Sequence, residues 1–505
     1  MKKSIAIALT VLSVNLLSAK KADTKRPNII FIFADDMGIG DVSHTTGKAA
    51  TPHLDRLAKE GMRFTDAHTS SSVCTPSRYS LLTGRYNWRT RLAQHVFTNP
   101  STLPLIKENE TTVASLLKQK GYHTACVGKW HLGIGWQLHK KFDRKEIHKG
   151  KGWDIDYSKP AITPTSNGFD YFFGITASLD MPPYVYIENE RAVAIPTVSR
   201  TFYKENRIGP ATEDFEANRC LRDFAQKSVT YINQRAKEDQ PFFLYLPLNS
   251  PHTPIVPSKE WQGKSSIGNY GDFVMETDWV VGEVLKALDK HKLTENTIVL
   301  FSTDNGCSPS ADISDLKAKG HYPNGKLRGH KADIYDGGHR VPFIVRWPAV
   351  IKASTVTDRL TCMTDFIATC AEITDTKLDD ASGVDGISFL STLKNPSFVK
   401  DRKTIVHHSI KGYFAIREGS WKLALCPGSG GWSAPKPGNS PEDAPKIQLF
   451  DLSKDIAETT NLQDQYPEKI KKMITMLQGY VDKGRSTEGK TQKNDREIDI
   501  YNHKK

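Results

Sequence analysis

Asn28-Ile-Ile-Phe-Ile-Phe-Ala34 is an almost unbroken apolar run, and it ends in Asp35-Asp36-Met37-Gly38. A strand with one solvated face alternates in polarity. A run that is apolar at nearly every position needs cover on both faces, as in a central strand of a parallel sheet. Two adjacent carboxylates at its end repel each other unless a cation lies between them. They read either as a capping pair before a turn or, with better reason beside such a strand, as metal ligands.

The same layout recurs along the chain. Tyr122 to Val127 delivers Gly128-Lys129-Trp130-His131-Leu132-Gly133, and Pro241 to Leu248 delivers Asn249-Ser-Pro-His252-Thr-Pro254. Thr297 to Thr303 delivers Asp304-Asn305-Gly306, and a glycine-rich loop holding Lys331 precedes a strand to Trp347. Helical stretches at 51–60, 112–120, 216–236 and 272–290 separate these runs. Strand, loop and helix in alternation predict an α/β fold with a large, mostly parallel sheet sandwiched by helices. Four strand ends each carry a polar cluster, where open α/β sheets place their ligands.

Between the first two strands lies Ser70-Ser-Ser-Val-Cys74-Thr-Pro-Ser-Arg78-Tyr-Ser-Leu-Leu-Thr-Gly-Arg85. Pro76 suits an early helical position and Gly84 a helix end, so Cys74 falls at a helix N-terminus, which favours an anion. Cys-Thr-Pro-Ser-Arg followed by Leu-Thr-Gly-Arg resembles the signature of the type I, formylglycine-dependent sulfatases. Asp35-Asp36, Thr51-Pro-His-Leu-Asp-Arg-Leu-Ala58 and Gly128-Lys-Trp-His-Leu-Gly133 are similar to the pattern of that family, in the same order.

The resemblance covers residues 27 to 350 by motif. It implies an alkaline-phosphatase-like fold and a sulfuric ester hydrolase with one calcium ion held by Asp35, Asp36, Asp304, Asn305 and residue 74. It also implies that a separate maturation enzyme oxidises Cys74 to formylglycine (3-oxoalanine), whose hydrate attacks sulfur. By the same resemblance Lys129 and Lys331 bind sulfate and Arg78 steadies the hydrate. His252, helped by Lys331, protonates the leaving alcohol, and His131 deprotonates the second hydroxyl so that sulfate is expelled. A serine at position 74 has no second hydroxyl and cannot take that step. The oxygen-only donor set itself suits a hard cation, with magnesium an alternative by composition.

The formal net charge of +12, from 69 Lys and Arg against 57 Asp and Glu, favours polyanionic partners. No nucleic-acid-binding motif accompanies it, yet composition alone leaves nucleic acid and sulfated glycan near even. Given the sulfatase resemblance, the export signal, the basic charge and the aromatic loops make a sulfated glycan the expected substrate, with a galactose or N-acetylgalactosamine sulfate favoured on overall resemblance. Candidate sugar contacts are Trp88, Arg89, Arg91, His95, Trp136, Asp180, His407 and His408. Aromatic-rich loops across 135–215 read as shaping a substrate site or, equally, as packing cover. A phosphodiesterase or phosphonate hydrolase of the same superfamily is the alternative reaction, and a non-catalytic polyanion-binding protein the alternative class.

Lys2 and Lys3 before an apolar run from Ile5 to Leu17 read as a signal peptide over 1–19, hence periplasmic or secreted, with no membrane span. The catalytic domain is expected over 20–395, a smaller α+β subdomain of antiparallel strands and one helix over 396–482, and a polar, poorly ordered tail over 483–505. The seven cysteines (74, 126, 220, 307, 362, 370 and 426) contain no Cys-x-x-Cys pair. With Cys74 converted, the other six allow fifteen pairings in an exported chain. Cys362 and Cys370, placed on one helix over 363–371, lie too far apart to pair with each other, and the remaining cysteines read either as disulfide partners or as buried thiols. Oligomeric state is not legible.

Overall fold

The computed structural model describes residues 26–100, 103–139, 151–399, 402–439 and 444–502. The expected signal peptide and residues 140–150 of the basic segment lie outside the described residues. Among the described residues no helix is long and apolar enough to cross a membrane.

The main sheet is assembled from β1 (Asn28–Ala34), β2 (Met62–Phe64), β4 (His123–Lys129), β5 (Tyr171–Ile175), β6 (Ile187–Glu188), β7 (Arg191–Ala192), β10 (Phe242–Pro247), β11 (Thr297–Thr303), β12 (Phe343–Arg346) and β13 (Thr355–Thr357). Its order is β13-β2-β12-β11-β1-β10-β4-β5-β6-β7. The stretch β11-β1-β10-β4-β5 is parallel throughout. The strand expected before Trp347 is present as β12, but it runs antiparallel to β11, so the sheet is mixed toward its edges.

Alternation within β1 explains its composition. Ile29, Phe31 and Phe33 enter one core, with the helices Cys74–Thr83, Val113–Gln119 and Asp365–Ile373. Ile30, Ile32 and Ala34 enter the other, with the helices Pro52–Glu60, Cys220–Arg235 and Asn269–Lys290. Each large side chain buried this way contributes about 1.5–3 kcal/mol, and all six are fully buried.

A short pair joins β3 (Ala67–His68) to β14 (Thr361–Cys362), and a separate ribbon joins β8 (Val198–Arg200) to β9 (Gly209–Ala211). Cys362 therefore sits on a strand and only Cys370 on a helix, correcting the expectation that both share one. All seven cysteines are buried free thiols.

The C-terminal sheet is antiparallel, in the order β15 (Thr404–His408), β16 (Phe414–Glu418), β17 (Trp421–Ala424), β18 (Gln448–Asp451). The helix Pro467–Asp482 packs Ile470, Met473, Leu477 and Val481 against it. Residues 483–502 correct the expectation of a poorly ordered tail. Ile498 and Ile500 enter this same core, Thr487 donates to the Val384 carbonyl at 2.8 Å, and Asp495 pairs with Arg85 at 3.1 Å.

Candidate active site

Four neighbouring parallel strands, β11, β1, β10 and β4, end on one side of the sheet, and each carries its polar cluster there. Local backbone aims the clusters inward. Asp36 (φ 65°) and His131 (φ 58°) are left-handed residues with side chains, and Ala332 beside Lys331 has φ 82°. Such conformations cost about 1–3 kcal/mol each and collect at functional sites. Gly128, at φ 136°, leaves no room for a Cβ, which would meet the Pro247 carbonyl oxygen at 1.9 Å. A glycine there lets β4 close on β10 and sets the position of Lys129.

The helix Cys74–Thr83 starts with Cys74 itself and is buried along its whole length. Gly84, at φ 63°, ends it by donating to the Ser80 carbonyl at 2.9 Å. Cys74 Sγ comes to 3.5 Å from Asp35 Oδ1. One turn on, Arg78 donates through Nε and Nη2 to Asp304 Oδ2 at 3.0 and 2.8 Å, and through Nη1 to the Lys129 carbonyl at 3.3 Å.

Below the cysteine lie three buried carboxylates matched by three buried cations. Lys129 Nζ meets Asp35 Oδ2 at 2.5 Å, Lys331 Nζ meets Asp36 Oδ1 at 2.8 Å, and Arg78 holds Asp304. Burial alone would raise the Asp35 pKa, but Lys129, His252 and Arg78 outweigh it and hold the carboxyl well below its usual range. Asp304 is pushed up to about 7 by burial and by the neighbouring Asp35 charge. Burial and Asp304 push the Cys74 thiol well above its usual value. The unmodified side chain is thus a neutral thiol, not a nucleophilic thiolate.

The donors fit a hard cation. Asp35, Asp36, Cys74 and His252 bring ligand-capable atoms within 4.8 Å of one another. Asp304 Oδ1 accepts from the Asp36 N–H at 3.2 Å, and Asn305 Nδ2 donates to Asp36 Oδ1 at 2.6 Å. Asn305 Oδ1 is buried beside them with no hydrogen-bond partner among the described residues. An orphaned amide oxygen among carboxylates is the donor that an oxygen-seeking ion completes.

Both histidines have their tautomers set by backbone carbonyls, which only accept. His131 Nε2 donates to the Phe97 carbonyl at 2.8 Å, leaving the buried Nδ1 with its lone pair and no partner among the described residues. Burial and Lys129 hold this imidazole well below the ordinary histidine pKa, so it is neutral. His252 Nδ1 donates to the Thr253 carbonyl at 2.6 Å, and its Nε2 stands 3.7 Å from Asp36 Oδ2.

Above this floor opens a cavity of about 660 Å³, lined by Cys74, His131, His252 and Lys331 among others. Every catalytic and metal residue read from the sequence converges here or directly beneath. Of the sugar-contact candidates, His95 and Asp180 line the cavity. The other six do not. Trp88 is buried under Arg89, Arg89 pairs with Asp385, and Trp136 packs on Tyr157. Arg91 lies over Phe97, His407 stacks on His339, and His408 packs on Phe414. The sequence reading missed Lys204, Arg207 and Trp432 in the cavity wall. Trp432 comes from a Gly- and Ser-rich loop, and its N–H donates to Asp333 Oδ1 at 2.8 Å.

Residues 27–376 match the family described as Sulfatase. The chain is 34% identical over 501 residues to an N-acetylgalactosamine-6-O-sulfatase of Bacteroides thetaiotaomicron, spanning 90% of this chain and 93% of that protein. It is 30% identical over 467 residues to human steryl-sulfatase, spanning 80% and 75%. A solved Bacteroides thetaiotaomicron structure, described with the metabolism of multiple glycosaminoglycans, matches with a TM-score of 0.78. Its identity is 31%, over 90% of this chain and 99% of that one.

Proposed function

The chain belongs to the sulfatase family and is a sulfuric ester hydrolase acting on carbohydrate, and from that premise we propose that it removes the 6-sulfate of an N-acetylgalactosamine or galactose unit in a glycan. The relative named for N-acetylgalactosamine 6-sulfate, aligned over nine-tenths of the chain, supports this choice of sugar. The observation that carries the reaction is the floor of the cavity: residue 74, an oxygen-donor cluster, three matched cations and two oriented imidazoles in one place.

Cys74 matured to formylglycine supplies a hydrated aldehyde with two hydroxyls, one to attack sulfur and one to release sulfate. Asp35, Asp36, Asp304, Asn305 and residue 74 would hold a calcium ion, which would supply Lewis-acid screening of the sulfate oxygens. Lys129 and Lys331 stabilise charge that grows on the sulfuryl group as the S–O bond to the sugar breaks. To act as the acid, His252 carries a proton on both ring nitrogens: the Nδ1–H stays on the Thr253 carbonyl and the Nε2–H passes to the departing sugar oxygen, aided by Lys331. His131 Nδ1, neutral and unpartnered, accepts the proton released when sulfate leaves. Arg78 ties the nucleophile's helix to Asp304 and to the end of β4, which keeps the parts in register.

The basic start and apolar run over 1–19 support export to the periplasm or beyond. N-terminal sequencing of the mature protein, expected to begin after Ala19, checks that reading. The function is tested on defined 6-sulfated N-acetylgalactosamine and galactose, an aryl sulfate, a steryl sulfate and the phosphate ester of one shared alcohol. We expect the 6-sulfated sugars to show the highest kcat/KM. Turnover confined to the steryl or aryl ester would defeat the glycan assignment.

A further inference from the structure

The β8–β9 ribbon throws a turn, residues 201–208, over the cavity mouth. Register Arg200↔Gly209 closes it, and buried Tyr184 anchors it by donating to the Arg207 carbonyl at 2.9 Å. Phe202 packs on Tyr184 with ring centroids 4.9 Å apart. The turn thereby presents Lys204 and Arg207 to the same cavity as Cys74 and His252.

These two cations differ from those of the floor. Lys129, Lys331 and Arg78 are each matched by a buried carboxylate. Lys204 has only its own neighbour Tyr203, 5.0 Å below its Nζ, and Arg207 forms no ion pair among the described residues. Asp180 is the carboxylate in the cavity wall; the neighbouring Glu205 lies on the turn outside the wall. Cations that outnumber the carboxylates of a low-dielectric wall still concentrate opposite charge, and a guanidinium fork matches carboxylate and sulfate oxygens in pairs.

We infer that Lys204 and Arg207 read a second negative group on the substrate, a carboxylate or sulfate on the sugar next to the one carrying the scissile ester. This rests on the glycan reading above and sharpens it to anionic, glycosaminoglycan-like chains. The pair selects substrate, while the floor performs the reaction.

The test uses three disaccharides with the same 6-sulfated N-acetylgalactosamine terminus, whose neighbouring sugar is neutral, a uronic acid, or sulfated. Wild type should favour at least one charged neighbour over the neutral one by roughly tenfold in kcat/KM, carried by KM, as two partly exposed charge contacts allow. The preference should shrink between low and high salt. The better of the two charged arms identifies the group that is read. Lys204→Gln with Arg207→Gln should bring the ratio to about one, and Lys204→Glu with Arg207→Glu should invert it. Thermal unfolding of each variant checks that the fold is kept. Equal kcat/KM on all three sugars in wild type, or a ratio kept in the double variant, overturns the inference and leaves the sulfatase reading standing. Hydrolysis of an aryl sulfate with no turnover of any sugar overturns both.

Discussion

Cys74 Sγ lies 3.5 Å from Asp35 Oδ1, so the first residue of a buried helix touches the carboxylate that ends the central strand. The contact places residue 74 at the oxygen-donor cluster, where burial keeps its thiol protonated. Natively produced, active protein should yield a residue-74 peptide lighter than its cysteine form. Cys74→Ala and Cys74→Ser should fold and lose at least about 10³-fold in kcat, the scale of removing a covalent nucleophile. A serine variant with appreciable turnover would contradict the need for two hydroxyls.

Stripping divalent cations should abolish turnover, and calcium should restore it. An ion that binds the folded site and not the unfolded chain stabilises the fold, so calcium at about a hundred times its Kd should add about 2.7 kcal/mol of stability. Asn305→Ala removes the orphaned amide oxygen and should shift the calcium midpoint upward by about tenfold or more. Thermal unfolding across a calcium titration measures both. A melting temperature indifferent to calcium would exclude the assigned ligands.

His131 must be neutral to accept a proton, and burial beside Lys129 lowers its pKa well below the ordinary value. The acidic limb of log kcat/KM should therefore lie below about 6.5, the free-histidine value. His131→Ala should depress turnover across the whole range. The stability sign follows from the same shift. The unfolded chain takes up this proton first, so the contribution is complete above about pH 6.5 and is lost as pH falls toward the folded pKa. Titrating unfolding free energy for wild type and His131→Gln isolates it.

Much of the site was legible because it sits where strands stop. β11 begins and ends at Thr297 and Thr303 as read, and Asp304-Asn305 follows it directly. Pro76 and Gly84 marked the Cys74 helix by local chemistry alone. Strand direction was less legible, since β12 turns antiparallel through its pairing with β11 and β2, not through its own residues. Trp88 and His407 read as sugar contacts because their cover, Phe414 and His339, arrives from distant chain. Residues 483–502 looked unstructured by composition, yet side-chain bonds to Arg89 and Asp385 hold them. Lys204 and Arg207 carry no motif; only the ribbon places them.

Lys422 links the C-terminal sheet to the catalytic core. Its Nζ, fully buried on β17, lies 2.8 Å from Asp336 and 2.7 Å from Glu458, and 3.3 Å from His339 Nε2. Burial and the Asp336 charge push Glu458 up to about 7 even with the ammonium present. Lys422→Met keeps the volume and strands two buried acids, so it should cost about 3–5 kcal/mol. Adding Asp336→Asn and Glu458→Gln should recover part of that loss, since neither acid is then left charged without the ammonium. The pH dependence has a definite sign. Glu458, whose folded carboxyl already lies above the usual range, binds its proton more tightly when folded, so the deficit of the single variant against wild type should shrink as pH falls from 8 to 5.5. Denaturant unfolding at both pH values reads the difference. A Lys422→Met protein as stable at pH 8 as wild type would mean that the ammonium does not hold the two sheets together.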